Sequence, residues 1–520
     1  MERGARIHQE KRDPTTLYLE ISLDSSITFK EQILHFIQAQ KKQEGSLKES
    51  SIYTLIHVSS PQNKDTSELY LEIQSQFQAF FTLIQSYLKL CKTEETLSQL
   101  KSHSIGVCLH TSPLNQNQST LGSTLTQGGL QGWIKSLSQE ESKLEWYLCE
   151  DFGSLDQKTN QQTAFSFFHH HALVQIGLSL KKQKKSSSKA LSYRRKQINP
   201  STEQWEYEAY DDASLSSEQS RSEGATHSWE SISDLLVTGG GRGITALCLQ
   251  TLPLQNKTLW ICGRTPRLVP PSQRSQQETL YLQAIQSAST PQDEVRNLLH
   301  AHAQLDLPSL PLPHIKKLHT RLTAQIELDQ RLSYFESLGA RVEYLSVDVA
   351  HPTSITKAIQ ARDPNALSRI QGVIHGAGIL NDQYFIKKEW EPFQQVLQVK
   401  TALFSWIEQT LPNLTFLVGF SSVSAALGNQ GQTDYACANA MMDAYIEWKS
   451  QMKSELYGVS MQWGPWSGAG MVSESLEAYY QKAGIQLIPA HEGQRCFKED
   501  TLLLNPRQSG IFLRSFPFVR

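Results

Sequence analysis

The segment that begins at Leu235 limits what this chain can fold into more than any other. Three apolar residues, Leu235 to Val237, run directly into the stretch Thr238-Gly-Gly-Gly-Arg-Gly-Ile-Thr245, and a helical pattern follows. A strand that turns through glycines into a helix exposes backbone N–H groups and a positive helix end, where a pyrophosphate can rest. Glycine also permits the tight turn and the close approach of backbone to phosphate. The pattern favours a dinucleotide site over a plain turn, although a glycine-rich turn alone is a weak signal.

Strand and helix patterns alternate along most of the chain, which predicts an α/β protein with parallel sheets covered on both faces. After the glycine loop, apolar strand patterns recur at Leu259–Cys262, Val342–Val347, Gly372–His375 and Leu414–Phe420. Before it, strand patterns at Thr16–Leu23, Ile52–Val58, Ile105–Leu109 and Leu144–Leu148 alternate with helical stretches. No glycine-rich phosphate loop follows the first strands of this earlier part. The sequence therefore predicts an incomplete α/β half followed by a half that binds a dinucleotide.

Changes in composition indicate where these halves begin and end. Residues 1–14 are typical of a polar tail, and the Ser-, Glu- and Asp-rich run 211–227 is typical of a linker. We predict a first half at 15–228, which includes the linker, and a second half at 229–520. Within the second half, a long interruption at about 266–340 opens with prolines and continues with helical stretches.

Bulk composition excludes several other classes of protein. The 49 basic and 51 acidic residues nearly cancel, and the basic run 181–189 lacks aromatic residues, so a solvated loop is favoured over a nucleic-acid surface. No apolar run reaches about 18 residues, which argues against a membrane span, and the charged N-terminus is not a secretory signal. The 7 cysteines are scattered singly, which suits reduced thiols and predicts a cytoplasmic protein. The three histidines at 169–171 lack partner ligands, so no metal site is predicted.

The residues after the second strand of this half bear on which dinucleotide binds. Enzymes that use NAD place an acidic residue there for the ribose 2′-hydroxyl, whereas an arginine accommodates a 2′-phosphate. This chain has Cys262-Gly-Arg264, and Arg242 in the glycine loop is a second candidate cation. A planar guanidinium suits bidentate phosphate binding. The two arginines favour NADPH over NADH, although either alone would be typical of an ordinary surface charge.

A serine, a tyrosine, an asparagine and a lysine form the candidate catalytic group. Ser422 follows the strand pattern Leu414–Phe420, Tyr435 opens the next helix, and Asn439 lies four residues later on the same helix face. A tyrosine can protonate a developing alkoxide if its pKa, about 10 in isolation, is lowered by a nearby cation. Lys400 is the candidate cation. Each residue alone is more often structural, and only their order after a dinucleotide loop favours catalysis.

Together these residues resemble the ketoreductase domains of polyketide and polyunsaturated fatty acid synthases, members of the short-chain dehydrogenase superfamily. The glycine loop has the TGxxxGxG spacing of that superfamily, with Thr245 at its final glycine, rather than the GxGxxG fingerprint. Ordinary members carry YxxxK, whereas Tyr435 and Asn439 form YxxxN with Lys400 upstream, as in the synthase enzymes. The motifs that carry the likeness, within about 234–495, are His375-Gly-Ala-Gly378, Val399-Lys400, Phe420-Ser-Ser422, Gly428-Asn-Gln-Gly-Gln432, Tyr435-Ala-Cys-Ala-Asn-Ala440 and Trp463-Gly-Pro-Trp466.

The resemblance implies the fold of both halves. The second half would be a Rossmann-like doubly wound parallel sheet with a helical insertion between its second and third strands. The first half would be a truncated Rossmann-like structural half without cofactor, a likeness strongest at Gly128-Gly-Leu-Gln-Gly-Trp-Ile-Lys-Ser-Leu-Ser-Gln-Glu140. A mobile lid over the substrate is implied at about 467–487.

The resemblance also implies a role for each site residue. Tyr435 would be the proton donor, and Ser422 would hydrogen-bond the substrate carbonyl. Lys400 would lower the pKa of the tyrosine and hold the cofactor ribose, and Asn439 would anchor the lysine. The residues implied to bind NADPH are Gly239, Gly240, Arg242, Gly243, Ile244, Arg264, Asp348, Val349, Ala377, Gly378, Pro465 and Trp466.

The implied substrate is a β-ketoacyl thioester carried on the phosphopantetheine arm of an acyl carrier protein, and the implied partners are that carrier and other synthase domains. The family's stereochemical marker LDD reads Leu380-Asn381-Asp382 here, and Leu427 stands where a tryptophan marks the opposite class. We therefore predict the D-alcohol, with Asp382, Leu427 and Gln432 as the residues of stereocontrol.

Two alternatives stay open at this point. The chain is also compatible with a catalytically inactive structural or docking module of a synthase, which keeps the fold without turnover. A free-standing short-chain alcohol dehydrogenase is the other alternative, although free enzymes of this class rarely carry a cofactor-free first half.

Overall fold

The structure is a computed structural model of the chain. It describes residues 6–8, 16–22, 51–59, 66–93, 102–110, 121–141, 145–150, 191–199, 204–210, 229–305, 308, 310–468, 477–478, 480, 482, 485–502 and 510–515. The basic run 181–189, the linker 211–227 and the histidines at 169–171 lie outside the described residues, and so does most of the segment 467–487.

The first half contains a five-stranded sheet whose strands lie side by side in sequence order. They are β1 (Arg6–His8), β2 (Thr16–Ser22), β3 (Ser51–Ser59), β4 (Ser102–His110) and β5 (Glu145–Glu150). Strand β1, which falls within the predicted tail, is antiparallel to β2, and the remaining pairs are parallel. Helix α1 (Thr66–Thr93) follows β3, and α2 (Leu121–Glu140) follows β4. Among these described strands the order never reverses, so this sheet lacks the switch point at which doubly wound sheets bind ligands.

The second sheet has the order β10-β9-β8-β11-β12-β13-β14-β6-β7. Its strands are β6 (Leu191–Asn199), β7 (Gln204–Tyr210), β8 (Asp234–Thr238), β9 (Thr258–Gly263), β10 (Arg341–Ser346), β11 (Ile370–His375), β12 (Phe416–Ser422), β13 (Tyr457–Trp463) and β14 (Gly510–Ser515). Strands β8 to β14 are all parallel, and the order reverses between β8 and β11. This is the predicted Rossmann-like doubly wound sheet. The hairpin of β6 and β7, which precedes residue 229, extends it antiparallel to β14.

The helices of the second half cover this sheet or form the insertion. They are α3 (Gly243–Leu249), α4 (Gln276–Gln286), α5 (Pro291–Ala303), α6 (Leu312–Ser337), α7 (Thr353–Gln360), α8 (Ala366–Arg369), α9 (Trp390–Thr410), α10 (Val423–Leu427), α11 (Thr433–Met452) and α12 (Ala490–Leu502). Three short 3₁₀ turns lie at Trp229–Ser231, Pro271–Gln273 and Phe385–Lys387. The predicted insertion is the group α4 to α6, between the strands β9 and β10.

The insertion folds on local signals and has an apolar core of its own. Helix α4 begins at a capping box, in which the Ser275 hydroxyl accepts from the Glu278 N–H and the Glu278 carboxylate accepts from the Ser275 N–H. Buried residues of α4, α5 and α6, including Leu282, Leu298 and Ile315, pack together as a separate cluster. The three helices therefore form a small bundle beside the sheet.

The two halves share one apolar core around Trp133 of α2. Its ring is fully buried and meets Phe80 of α1 edge-on at 4.9 Å between centroids. Across the boundary it contacts Phe393 of α9 at 4.5 Å and Phe385 at 5.7 Å. Such aromatic pairs add about 0.5–1.5 kcal/mol each beyond the burial of their area. These contacts join the first half to α9 and to the 3₁₀ turn at Phe385–Lys387 of the second half.

Helix α2 also packs closely against α11 where its glycines face that helix. A Cβ on Gly132 would lie 2.3 Å from the backbone oxygen of Ala436, and one on Gly128 would lie 2.8 Å from that of Ala440. Only glycine permits so close an approach of two helix backbones at these positions. The first half is therefore packed directly on the helix that carries the candidate tyrosine.

Candidate active site

The glycine loop lies where the strand order of the second sheet reverses. Gly239 has φ 71° and Gly243 has φ 64°, a region that favours glycine. A Cβ on Gly239 would lie 2.8 Å from the backbone nitrogen of Ala377 in the loop after β11. The Gly239 N–H donates to the Cys262 oxygen at 3.0 Å, which fixes the turn. We call this loop, residues 238–245, the glycine cradle; it lies at the carboxyl end of the sheet beside the point where the strand order reverses, which is where doubly wound sheets bind ligands.

The two candidate arginines lie at the edge of this cradle, and both are exposed. The Arg242 guanidinium lies 3.8 Å from the Glu327 carboxylate of α6, and both side chains are more than two-fifths exposed, so this ion pair is weak. Arg264 follows β9 and makes no ion pair with any residue that the structure describes. In the same region the Asp348 carboxylate accepts from the Ala350 N–H at 3.0 Å.

A chain of hydrogen bonds through His375 joins the cradle to Lys400. The Thr238 hydroxyl lies 2.6 Å from His375 Nδ1, and His375 Nε2 lies 2.9 Å from the Lys400 backbone oxygen. Ala377 N–H donates to the Thr238 hydroxyl oxygen at 3.3 Å. Burial lowers the pKa of His375 to about 3, and the nearby Lys400 charge acts in the same direction. The imidazole is therefore neutral, with its proton on Nε2 and its Nδ1 accepting from Thr238.

The Lys400 side chain is buried at the carboxyl end of β12. It is 2% exposed, and its Nζ donates to the Phe420 backbone oxygen at 2.6 Å. Burial lowers the pKa of Lys400 to about 7, and the charge of Asp443 opposes that shift. An amine that is buried beside a strand end and titrates near neutrality is typical of a functional site rather than of a surface charge.

Asp443 is the buried counter-charge of Lys400, and sequence reasoning missed it. Its carboxylate accepts from the Ser460 hydroxyl at 2.5 Å and from Gln462 Nε2 at 2.7 Å, both on β13. These bonds hold the carboxylate in place beneath α11. The available signal was the spacing of Tyr435, Asn439 and Asp443, which recur every four residues along one helix face.

Tyr435 lies in the first turn of α11, half-buried, and Asn439 lies one turn further on, fully buried. Asn439 Nδ2 donates to the Tyr435 backbone oxygen at 2.8 Å, while its buried Oδ1 accepts no hydrogen bond from any residue that the structure describes. Burial raises the pKa of Tyr435 to about 12; the Asn439 side chain opposes the rise, and the Asp382 charge adds to it. The predicted lowering of this pKa by Lys400 is therefore not found. Burial explains the difference, because it disfavours the charged forms of both groups, the phenolate of Tyr435 and the ammonium of Lys400.

Ser422 ends β12 and is the N-cap of α10. Its Oγ accepts from the Ser424 N–H at 3.2 Å, so the hydroxyl proton stays available to donate to another oxygen. The adjacent Ser421 hydroxyl reaches the Asn439 backbone oxygen at 3.5 Å. The end of β12 therefore contacts the Lys400 amine through Phe420 and the helix α11 through Asn439.

Two of the three residues predicted for stereocontrol, Asp382 and Gln432, are in contact. Gln432 Nε2 donates to both carboxylate oxygens of Asp382, at 3.0 and 3.2 Å. Gln383 N–H donates to the Gly431 oxygen at 2.9 Å, which joins the two backbone segments directly. Leu427 ends α10 at the start of the second of these segments.

Trp466 behaves differently from the other predicted cofactor residues. Its ring is 2% exposed and packs against Trp463 at 5.1 Å between centroids, within the core of the second half. The backbone around it pairs with Ile488, whose N–H donates to the Pro465 oxygen at 2.8 Å. The two ends of the predicted lid are therefore joined, although most of the lid lies outside the described residues.

Two classes of feature are absent from the part of the chain that the structure describes. No cluster of three or more histidine, cysteine, aspartate or glutamate side chains is placed to hold a metal ion. No helix there has both the length and the apolar character needed to cross a membrane.

Comparison with known proteins gives the relatives of this chain. Residues 317–468 match the family model described as the KR domain. One component of a polyunsaturated fatty acid synthase from a Thraustochytrium species is 32% identical over 271 residues, which cover 50% of this chain and 9% of that protein. The 6-methylsalicylic acid synthase of Penicillium terrestre is 34% identical over 191 residues, which cover 35% of this chain and 10% of that protein. The chain thus spans about a tenth of each of these relatives.

The fold of this chain is also that of solved ketoreductase structures. An N-terminal ketoreductase from the macrolactin assembly line superposes with a TM-score of 0.57 at 16% identity, covering 94% of this chain and 76% of that one. A ketoreductase domain from the bacillaene assembly line gives a TM-score of 0.54 at 18% identity, covering 98% and 95%. The likeness to synthase ketoreductases that the motifs indicated is confirmed, and the fold is theirs.

Proposed function

Because the chain carries a KR domain and has the fold of synthase ketoreductases, we propose that it reduces a β-ketoacyl thioester to the β-hydroxyacyl thioester with NADPH. The observation that carries this proposal is the placement of Lys400. Its amine is buried at the end of β12, beside Ser422, and its counter-charge Asp443 lies on the same face of α11 as Tyr435 and Asn439. Unlike Lys388, whose amine is paired directly with the Asp434 carboxylate, Lys400 donates to the backbone at the end of β12 and titrates near neutrality, as a proton-transfer group does.

The cradle and its two arginines support NADPH as the cofactor. Gly239, Gly240 and Gly243 would receive the pyrophosphate, because they lie at the turn from β8 into α3, where the strand order of the sheet reverses. Arg264 would bind the 2′-phosphate, and Arg242 would assist it after leaving its weak pair with Glu327. Asp348 and Val349 would border the adenine, and Ala377 and Gly378 would border the ribose. Pro465 and Trp466 would contact the nicotinamide through their backbone. The side chain of Ile244 is partly buried against the core and would help to fix the cradle.

Each catalytic residue would have one task in the reduction. The reduced nicotinamide supplies a hydride to the carbonyl carbon when bound. The Ser422 hydroxyl would donate a hydrogen bond to the carbonyl oxygen. Tyr435 would transfer its phenolic proton to that oxygen, and its pKa of about 12 means that the proton is present at neutral pH. Lys400 would return a proton to the tyrosine, and the buried Oδ1 of Asn439 would hold the water or amine on that path.

The same geometry supports a stereochemical proposal. Asp382 and Gln432 are hydrogen-bonded to each other, and the Asp382 charge acts on Tyr435, so we infer that this pair would border the bound ketone. A substrate held by this pair would present one face to the hydride, and the resemblance assigns that face to the D-alcohol. An acyl carrier protein would deliver the substrate, and other synthase domains would be the partners, since the relatives are several times longer than this chain.

The decisive experiment follows NADPH oxidation with a panel of β-ketoacyl thioesters on a carrier protein and on a pantetheine mimic, with chiral analysis of the product. Turnover that requires NADPH and gives mainly the D-alcohol would support the proposal. NADPH binding without turnover would instead indicate the inactive docking module. Turnover of simple ketones in preference to every thioester would indicate a free-standing alcohol dehydrogenase.

A further inference from the structure

The C-terminal end of α2, in the first half, lies against both backbone segments that border the candidate site. We name these segments the 381–388 segment and the 425–434 segment. Together they hold Asp382 and Gln432, whose side chains are hydrogen-bonded to each other. The position of Asp382 and Gln432 relative to Tyr435 therefore depends on what fixes one segment against the other.

Glu140 bonds to both segments with one carboxylate. Its Oε2 accepts from the Phe385 N–H at 2.5 Å, and its Oε1 accepts from the Gly431 N–H at 3.0 Å. Each N–H belongs to irregular backbone that has no sheet or long helix to satisfy it. The carboxylate is therefore a bridge between two loops, and its two oxygens have separate partners.

The surrounding contacts show that this end of α2 is built to receive the 425–434 segment. Ser136 Oγ accepts from the Asn429 N–H at 3.1 Å, and Gln139 Nε2 donates to the Leu427 oxygen at 2.7 Å. A Cβ on Gly428, which has φ 75°, would lie 2.5 Å from the Lys135 backbone oxygen. The segment thus follows the helix surface without a gap.

The 381–388 segment is fixed at its other end by a buried ion pair next to the tyrosine. Lys388 Nζ donates to the Asp434 carboxylate at 2.8 Å and to the Asn381 oxygen at 2.5 Å. The other oxygen of Asp434 accepts from the Tyr435 N–H at 2.9 Å. The chain of contacts therefore runs from Glu140 through both segments to Tyr435.

We propose that Glu140 is a positioning residue that fixes Asp382 and Gln432 relative to Tyr435 and so selects which face of the ketone is reduced. The inference depends on the proposed ketoreductase function and extends it, since it places a determinant of the product's configuration in the first half of the chain. Glutamate suits this position because a carboxylate offers two acceptors to two N–H groups at once.

The test replaces this bridge with a group of the same shape. In Glu140→Gln the amide offers one acceptor, and its NH₂ group faces the second N–H. We expect the fraction of the minor alcohol and the KM for the thioester each to rise about tenfold, the effect of one lost charge-assisted hydrogen bond, while NADPH affinity stays within about twofold. Glu141→Gln removes the neighbouring carboxylate of the same helix end and is the matched control, for which we expect wild-type values.

A purely structural role would lower the thermal unfolding temperature and the amount of active enzyme without moving the product ratio. Folded Glu140→Gln with wild-type product ratio and KM would overturn the inference. If that variant does not fold, Glu140→Asp decides, because it keeps the charge but is too short to reach both N–H groups; an unchanged product ratio there would also overturn it. A wild-type protein without NADPH-dependent turnover would contradict the proposed function itself, which is a distinguishable failure.

Discussion

Thr245 of α3 occupies the space directly above Gly376 at the end of β11. A Cβ on Gly376 would lie 2.1 Å from Thr245 Oγ1 and 2.6 Å from its Cγ2, well inside van der Waals contact. Thr245 stands at the last position of the TGxxxGxG spacing, where a glycine would let the helix pack closely. The two residues are complementary, because the missing side chain at 376 makes room for the one at 245.

This complementarity predicts that Gly376→Ala weakens NADPH binding. The added methyl group would push α3 and the glycine cradle away from the sheet, at a cost typical of overpacking, about 1–3 kcal/mol. Since that displacement moves the backbone that would contact the pyrophosphate, we expect a fall in NADPH affinity of about tenfold or more. Titration of NADPH fluorescence measures it.

The matched control is the double variant Thr245→Gly with Gly376→Ala, which moves the side chain from one residue to the other. We expect it to recover most of the lost affinity, because the methyl group then enters the space that the threonine leaves. Two single effects that simply add in the double variant would show that the residues do not interact.

Tyr435→Phe tests the assignment of the proton donor. The substitution removes the phenolic proton and keeps the ring, so we expect the reduction rate to fall by about 10²- to 10⁴-fold with NADPH affinity largely retained. Single-turnover kinetics separates the chemical step from binding. Near-normal turnover would mean that another group supplies the proton.

Arg264→Ala tests the preference for NADPH. Loss of the guanidinium should weaken binding of NADPH far more than that of NADH, because only NADPH carries the 2′-phosphate. Arg296→Ala in the insertion is the control, since that arginine is 66% exposed and paired with Asp293 of its own helix. Equal losses for the two cofactors would contradict the role given to Arg264.

The alternation of strands and helices, the insertion and the glycine cradle could all be predicted from the sequence, because each follows from a local pattern. Periodicity located β8 to β12, and spacing located Ser422, Tyr435 and Asn439. The pairing of β6 with β14 could not be predicted, because the β6–β7 hairpin precedes the other strands of the second sheet in sequence and β14 is the last of them. Register between such distant segments depends on tertiary contacts, which no single segment encodes.

The roles of residues that act through others were missed, although the four-residue spacing from Asn439 to Asp443 was an available signal. Glu140, Asp443 and His375 make their contacts across long stretches of sequence, and each is an ordinary charged or polar residue when taken singly. The pKa of Tyr435 was predicted in the wrong direction for the same reason. Proximity to a lysine can be inferred from motif order, but the degree of burial, which raises the pKa of the phenol, is a property of the assembled core.

The low pKa of His375 predicts that the folded protein loses stability in mild acid. Its folded pKa is about 3, against about 6.5 for a free histidine, so between these values the unfolded chain binds a proton that the folded protein excludes. Stability therefore rises with pH across that window and falls as the solution is acidified. Between pH 7 and pH 5 the loss from this residue is about 2 kcal/mol, at 1.36 kcal/mol per pKa unit.

The variant His375→Gln tests this prediction, because glutamine can still accept from Thr238 and donate to the Lys400 oxygen but does not titrate. Urea unfolding at both pH values should show a smaller acid loss for the variant, and equal losses would place the acid sensitivity elsewhere.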